Sequence, residues 1–159
     1  MQLKKRVIGA VGRIEEYAAA IPPKNTIKAN GAELSRVLFW RLFKHAQESG
    51  NLVDQASKDR GNFGTGDGST TFTIPDRRGV VGRGFDDGAG LDSSPTLGRY
   101  QPDDIKAHSH TSSAAASTDS RAVGGGVSES ATAGSVTGST GGSETTMKNI
   151  TLLYCIRYQ

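Results

Sequence analysis

Two of the three histidines in the chain, His108 and His110, are separated by one residue in the segment "HSHT". Alternate residues of an extended strand project to the same side, so both imidazoles can point together, about 6.5 Å apart along the strand. Neutral imidazole is a ligand for iron, nickel, copper or zinc. A pattern this short is also typical of histidines that only form hydrogen bonds in a loop. The spacing therefore predicts either a pair of metal ligands or two loop histidines.

Two glycine-rich segments offer weaker candidates for chemistry. "GTGDGS", residues 64–69, has some of the glycines of a phosphate-binding loop, but such a loop needs a strand before it and a helix after it. Here "TTFTI" follows, which predicts a turn leading into an edge strand that ends at Pro75. "FDDGAGLD", residues 85–92, carries three carboxylates whose spacing does not match a calcium loop. We interpret both segments as structural turns or solvated loops.

We expect no enzyme activity and no catalytic residue. Hydrolysis of a glycosidic bond requires two carboxylates placed across a cleft. The available carboxylates lie instead in turn-like, glycine-rich or proline-flanked segments: Asp86, Asp87, Asp92, Asp103 and Asp104. The single cysteine, Cys155, has apolar neighbours, which predicts a buried packing thiol rather than a nucleophile.

Composition narrows the class of protein. The 159 residues are only 35% hydrophobic, which is low for a chain that folds entirely around one core. The net charge of +3 is modest and the basic residues are scattered, so a nucleic-acid partner is not expected. Apolar stretches fall short of the roughly 20 residues that span a bilayer, so membrane insertion is not expected either.

The first third of the chain predicts short strands followed by a helix. Residues 7–34 mix short apolar runs with the pair Asn30-Gly31, which is typical of a hairpin turn because both residues tolerate positive φ. From Ser35, a candidate N-cap, the apolar spacing predicts a helix over about 36–48 that ends before Gly50. His45 lies near its C-terminal end, where a cation suits the helix dipole, and we interpret it as a surface residue rather than a ligand.

The segment from Thr111 to Thr146 is low in complexity. Of its 36 residues, 29 are Gly, Ser, Thr or Ala. Ordering each residue costs about 1–2 kcal/mol, and there is almost no apolar area to offset that cost within one chain. The segment is therefore either a flexible loop or a strand wrapped by identical segments from other chains.

The C-terminal segment "KNITLLYCIRYQ" has a different pattern. Apolar residues alternate from Ile150 to Tyr158, which predicts a strand that ties this end of the chain into a sheet.

Several segments, in order along the chain, resemble the phage tail collar family of bacteriophage tail fibres. The most specific are "GDGSTTFTIPDRRG" and "KNITLLYCIRY", supported by "VGRIEEYAAAIPPKNTIKANGAELSR" and "QPDDIKAHSHT". The chain departs from the family pattern at "SETTMKN", where an Arg-Pro pair usually precedes Lys-Asn, and in a longer segment at 44–62.

The resemblance implies a mixed α+β fold with three parts. A small collar-like domain with one main helix and short strands occupies 1–100. An extended, low-complexity tip segment containing His-x-His, β-rich and intertwined in a trimer, occupies 101–147. A strand over 148–159 returns to the collar domain.

The resemblance also implies that three chains bind one iron ion. In similar fibre tips an alternate-histidine pair from each chain meets on the threefold axis, which assigns His108 and His110 as metal ligands. Three chains would supply six imidazoles in an octahedral set, which disfavours tetrahedral zinc, although another divalent transition metal, or none, remains an alternative. Six protein ligands leave no position for water or substrate, so such a site would clamp the chains together rather than catalyse a reaction.

The function implied is attachment of a phage, or of a phage-tail-like particle, to its bacterial host. The protein would be a homotrimer at the virion tail fibre or tail tip. It would join a baseplate or another tail fibre protein and bind a surface glycan or an outer-membrane protein through loops in 111–146 and around 85–100. The alternative is a structural collar or adaptor trimer that binds no receptor. Tyr100 is the aromatic residue nearest the tip that could stack on a sugar, since 101–146 contains none.

Overall fold

A computed structural model of the chain describes residues 10–92, 96–105, 107, 145 and 147–159. The fold is mixed α and β. The chain divides into two units, one comprising Met1–Gln101 with Asn149–Gln159 and the other comprising Pro102–Lys148. Most of the second unit lies outside the described residues, so the domain boundaries and the trimeric tip stay predictions.

Within the described ranges the first unit contains one α-helix, a short 3₁₀ helix and seven strands in two sheets. The helix α1 spans Trp40–Glu48, and the 3₁₀ helix spans Gln55–Ser57. The strands in chain order are β1 (Ile14–Tyr17), β2 (Thr26–Lys28), β3 (Glu33–Ser35), β4 (Leu52–Val53), β5 (Phe63–Gly64), β6 (Thr71–Thr73) and β7 (Leu153–Arg157).

The first sheet has the order β1-β7-β2, and both pairings are antiparallel. The strand predicted at the C-terminal end is confirmed, although it begins at Leu153 and leaves Ile150 exposed. Cys155 and Ile156 are fully buried, so the predicted burial of the thiol is also confirmed. Because β7 lies between two strands, it uses both backbone edges and anchors the end of the chain.

The second sheet has the order β3-β6-β5-β4, with β4 and β5 parallel and the other pairs antiparallel. The strand predicted from "TTFTI" is present as β6, and its end before Pro75 is confirmed. The prediction that it is an edge strand is wrong, since β3 and β5 pair with its two sides. Its β-branched and aromatic residues suit this internal position, where Phe72 is fully buried.

The hairpin predicted at Asn30-Gly31 is wrong. Gly31 does adopt a positive φ of 77°, but β2 and β3, which flank it, belong to different sheets. Asn30 forms an isolated antiparallel bridge with Asp76, and the Gly31 amide donates to the Pro75 carbonyl at 3.2 Å. The turn therefore carries the chain from one sheet to the other.

The predicted helix begins four residues too early. Ser35 is the last residue of β3 rather than the N-cap, and residues 36–39 form turns. The Arg36 amide donates to the Thr70 carbonyl at 2.9 Å, and its guanidinium donates to the carbonyls of Thr65 and Thr71. These bonds keep residue 36 attached to the sheet, so the helix begins only at Trp40.

One core joins the helix to both sheets. It consists of buried side chains from α1, from β5, from β6 and its continuation, and from β7: Leu42, Ala46, Phe63, Phe72, Ile74 and Ile156. Phe39 and Phe43 are partly buried against this cluster. Across the parts of the chain that the structure describes, no helix has the length and apolar character needed to cross a membrane.

Candidate functional site

The predicted metal ligands, His108 and His110, lie outside the described residues. Among the residues that are described, no group of three His, Cys, Asp or Glu side chains is arranged to hold a metal ion. The third histidine, His45, is half-buried, with its ring edge-on to Phe63 at 6.0 Å. A Cβ atom at Gly12 would lie 2.0 Å from its Nε2, so His45 packs under the backbone rather than lying free on the surface.

The described residues do assemble a surface around Tyr100, the aromatic residue considered for sugar stacking. The Tyr100 amide donates to an Asp59 carboxylate oxygen at 3.0 Å. The Arg60 guanidinium lies over the tyrosine ring, 5.4 Å from its centroid. Tyr100 remains 43% exposed, so part of its ring is accessible beside one acidic and one basic side chain. We call Asp59, Arg60 and Tyr100 the Tyr100 surface.

Asn62 holds the segment before Tyr100 in place. Its side chain is almost fully buried, and its Nδ2 donates to Asn51 Oδ1 at 2.6 Å and to the Leu97 carbonyl at 2.9 Å. Its Oδ1 accepts from the Asp59 amide at 3.0 Å. A buried amide whose polar atoms are all bonded fixes its neighbours in one arrangement. The two sides of the Tyr100 surface are therefore positioned by a single side chain.

Two glycines allow this close approach. The Gly61 amide donates to the Gly98 carbonyl at 2.8 Å, and a Cβ atom at Gly61 would lie 2.6 Å from the Gly98 Cα. Gly98 also has a φ of 82°, which favours glycine. A side chain at Gly61 or Gly98 would force apart the turn that contains Gly61 and the segment before Tyr100.

A shallow cavity of about 310 Å³ lies beside this surface. Its lining combines backbone, polar and apolar groups: Gly50, Val53, Ser57, Asp59, Asn62, Thr96, Leu97 and Arg99. Its volume is at the lower end of the range of small-molecule sites. The arrangement offers hydrogen-bonding groups beside an exposed aromatic ring, which are means of binding a ligand.

The loop over 85–92 is organised by Asp86. Its carboxylate accepts from the backbone amides of Gly90, Leu91 and Asp92, at 3.0, 2.8 and 3.1 Å. These bonds lower the pKa of Asp86, and the bond from the Gly90 amide has the largest effect. Asp92 forms an ion pair with Arg83 at 3.4 Å. The carboxylates of Asp86 and Asp92 therefore hold the loop in one shape. The segment is a loop, as interpreted from the sequence, but Asp86 is bonded to the loop backbone rather than only solvated.

The "GTGDGS" segment is organised in the same way by Asp67. One oxygen accepts from the amides of Ser69, Thr70 and Thr71, at 2.9, 2.7 and 2.9 Å. The Thr70 hydroxyl bonds the other oxygen, and these bonds hold the pKa of Asp67 well below its usual range. Backbone amides that a phosphate loop would direct at its ligand are here occupied by a side chain of the loop itself.

A third aspartate, Asp76, links segments of the first unit. Its carboxylate accepts two hydrogen bonds from the Arg78 guanidinium, at 2.9 and 2.8 Å, and one from the Arg78 amide at 3.1 Å, and it lies 3.6 Å from Arg60. The bonds from Arg78 lower the pKa of Asp76 to about 2. The Asp76 amide donates to the Arg60 carbonyl at 2.7 Å. Asp76 therefore fixes Arg60, and through it one side of the Tyr100 surface.

Sequence reasoning singled out Tyr100 but missed the three residues that support it. Asp59, Arg60 and Asn62 lie in "KDRGN", where Asp, Gly and Asn close together mark a turn. That signal predicts a change of direction and says nothing of the distant segment that the turn will contact. Asn62 and Leu97 are joined only by the tertiary fold.

Comparisons of the chain with protein-family models, with curated proteins and with solved structures found no match.

Proposed function

We propose that the chain is a tail fibre tip protein of a phage or phage-tail-like particle, and that it attaches the virion tail to the bacterial host as a homotrimer. One observation carries the proposal. The two segments with the most specific resemblance to tail collar proteins supply β6 and β7, each of which is an internal strand of its sheet. Their side chains Phe72, Ile74 and Ile156 pack in the same core.

The order of the two units along the chain is compatible with this proposal. Residues 102–148 are joined to the first unit at both ends, because β7 follows them and pairs with β1 and β2. The segment has too little apolar area to order itself within one chain. Three copies of it, held together, would share backbone hydrogen bonds and exclude water from one another.

The proposed clamp is one iron ion bound by His108 and His110 of three chains. Replacing either histidine with alanine removes three of six ligands, so bound metal should be lost and the thermal stability of the trimer should fall. Elemental analysis and thermal unfolding of the two variants test this. His45→Asn is the matched control, because His45 packs in the first unit against Phe63 and should leave the metal content unchanged. Unchanged metal in His108→Ala or His110→Ala would overturn the clamp.

The proposed receptor contact is the Tyr100 surface, with a surface glycan as the ligand. An exposed aromatic ring beside a carboxylate and a guanidinium provides stacking together with hydrogen bonds to hydroxyl groups. Tyr100→Ala should weaken binding to cells about tenfold or more, since it removes the stacking group. The bond to Asp59 comes from the Tyr100 backbone amide, so the substitution keeps that anchor. Tyr100→Phe keeps the ring and should retain most of the binding.

The test of attachment is competition. Purified protein added to susceptible cells should reduce adsorption of the intact particle, and Tyr100→Ala protein should compete poorly. A folded trimer that binds no susceptible strain would instead support the adaptor alternative. Release of sugar from isolated lipopolysaccharide would contradict the expectation that the chain is not an enzyme.

A further inference from the structure

We propose that the copies assemble head to tail, with the surface at the start of α1 in one copy docked on the 85–91 loop of the next copy. This inference rests on the proposed homotrimer and adds the contact that joins its first units. It uses residues outside the Tyr100 surface and outside the predicted metal site.

The first of the two surfaces is apolar and positively charged. Three large apolar side chains close together in the chain are exposed: Val37 by 79%, Leu38 by 76% and Trp40 by 57%. Scattered exposed apolar residues are ordinary, whereas three side chains grouped at one helix end form a patch. The Arg41 guanidinium lies 5.2 Å from the centroid of the Trp40 ring, so a positive charge borders the patch. We call Val37, Leu38, Trp40 and Arg41 the α1 surface.

The second surface is apolar and negatively charged. In the 85–91 loop Phe85 is 51% exposed and Leu91 is 88% exposed, with Asp86 and Asp87 between them. The Asp86 carboxylate binds the Gly90 and Leu91 amides, which fixes the loop around these two side chains. A loop that is already ordered loses little conformational entropy when it binds.

Charge complementarity points to another copy of the chain as the occupant. The 85–91 loop carries two aspartates and no basic residue, while the α1 surface carries Arg41 and no acidic residue. The first turn of α1, Trp40–Phe43, contains no acidic residue either. An aspartate of a neighbouring copy would complement Arg41 and the positive end of the helix dipole.

The two surfaces lie on different segments of the chain, so a contact between them is head to tail rather than a symmetric pair. The α1 surface lies at the N-terminal end of the helix. The 85–91 loop is held elsewhere, because Gln101 donates to the carboxylate of Asp92 at 3.3 Å and the neighbouring Tyr100 amide donates to Asp59. Two different surfaces on one chain make a heterologous contact, which closes into a ring when the rotation per copy divides a full turn.

Cysteine cross-linking tests the contact directly. Leu38→Cys and Leu91→Cys are placed in two separately tagged chains, which are expressed together and oxidised. A head-to-tail interface predicts a disulfide that joins one tagged chain to the other. The native Cys155 is fully buried, so it should not compete. A trimer that yields no mixed cross-link, or only cross-links between identical variants, overturns the proposal.

A charge substitution gives an independent measurement. Leu38→Glu introduces an acidic residue opposite the acidic loop, and self-association measured by sedimentation should weaken about tenfold or more. Ile21→Glu is the matched control, because Ile21 is 78% exposed and lies outside both surfaces, so association should persist. Equal association of wild type and Leu38→Glu contradicts the docking contact.

The results separate this contact from the proposed function. A trimer that adsorbs to cells but fails both tests shows that the contact is wrong while attachment stands. A mixed cross-link in a protein that binds no cells supports the contact and contradicts attachment. A monomer that binds no cells contradicts both.

Discussion

Two glycine-rich loops of the first unit, residues 66–71 and residues 85–92, have the same internal design but different surroundings. In each, one aspartate, Asp67 or Asp86, accepts hydrogen bonds from three backbone amides. The first loop leads directly into β6, whose Phe72 is fully buried. The second has Phe85 and Leu91 exposed at its ends.

The comparison shows that local chemistry determines the shape of a loop but not its use. An aspartate near glycines of positive φ is sufficient to order the backbone in both cases. The two loops differ in whether the neighbouring apolar side chains are buried or exposed. In the first loop they enter the core and stabilise the fold, whereas in the second they remain available to a partner.

The largest expected difference concerns the phenylalanines. Phe72→Ala should lower the free energy of unfolding by about 3–5 kcal/mol, because it leaves a cavity among Leu42, Ile74 and Ile156. Phe85→Ala should change it by about 0.5 kcal/mol or less within a single chain, since its side chain is half exposed. Chemical denaturation at one protein concentration measures both. Equal losses of unfolding free energy in the two variants would contradict the distinction between Phe72, which packs in the core, and Phe85, which is available to a partner.

A smaller difference is expected at the glycines. Gly66 has a φ of 59°, and a Cβ atom there would lie 2.7 Å from backbone atoms of Thr71. Gly66→Ala should therefore cost about 3 kcal/mol, from the left-handed conformation and the clash together. Gly88 has a φ of 84° but nothing within 4 Å of a Cβ atom, so Gly88→Ala should cost only about 1–2 kcal/mol. Thermal and chemical unfolding of this pair would measure how tightly each loop is closed.

The smallest effect is expected from acidification, and here the loops should behave alike. The pKa values of Asp67 and Asp86 are both lowered from the ordinary value of 3.8. The folded state therefore binds fewer protons than the unfolded state, and stability should fall as the pH drops below about 4. Asp67→Asn and Asp86→Asn should each make the stability curve flatter between pH 4 and pH 2. A wild-type curve that is level over this range would show that the hydrogen bonds to these carboxylates do not favour the ionised form.

Patterns that reflect burial were the most predictable from sequence. Alternating apolar residues indicated β7, β-branched residues indicated β6, and the apolar neighbours of Cys155 indicated a buried thiol. In each case the pattern of apolar residues within a few positions indicates which side chains are buried. Such a pattern can be read without knowing which distant segment the strand will pair with.

Features that depend on distant partners were not predictable. Asn30-Gly31 indicated a turn, but nothing in the pair specifies that β2 and β3 join different sheets. The helix began late because Arg36 is bonded to Thr65, Thr70 and Thr71, some 30 residues further along the chain. Likewise, no local pattern indicated that Asn62 would hold the segment before Tyr100. Hydrogen bonds between distant segments are set by the whole fold, and a single sequence does not encode them as a readable spacing.

The central claim, a homotrimer clamped by metal and directed at the host surface, is tested most directly by native mass spectrometry of the purified full chain with elemental analysis of the same sample. We expect a mass of three chains with one iron ion, and loss of that ion in His108→Ala. A metal-free monomer would contradict the clamp and the trimer together.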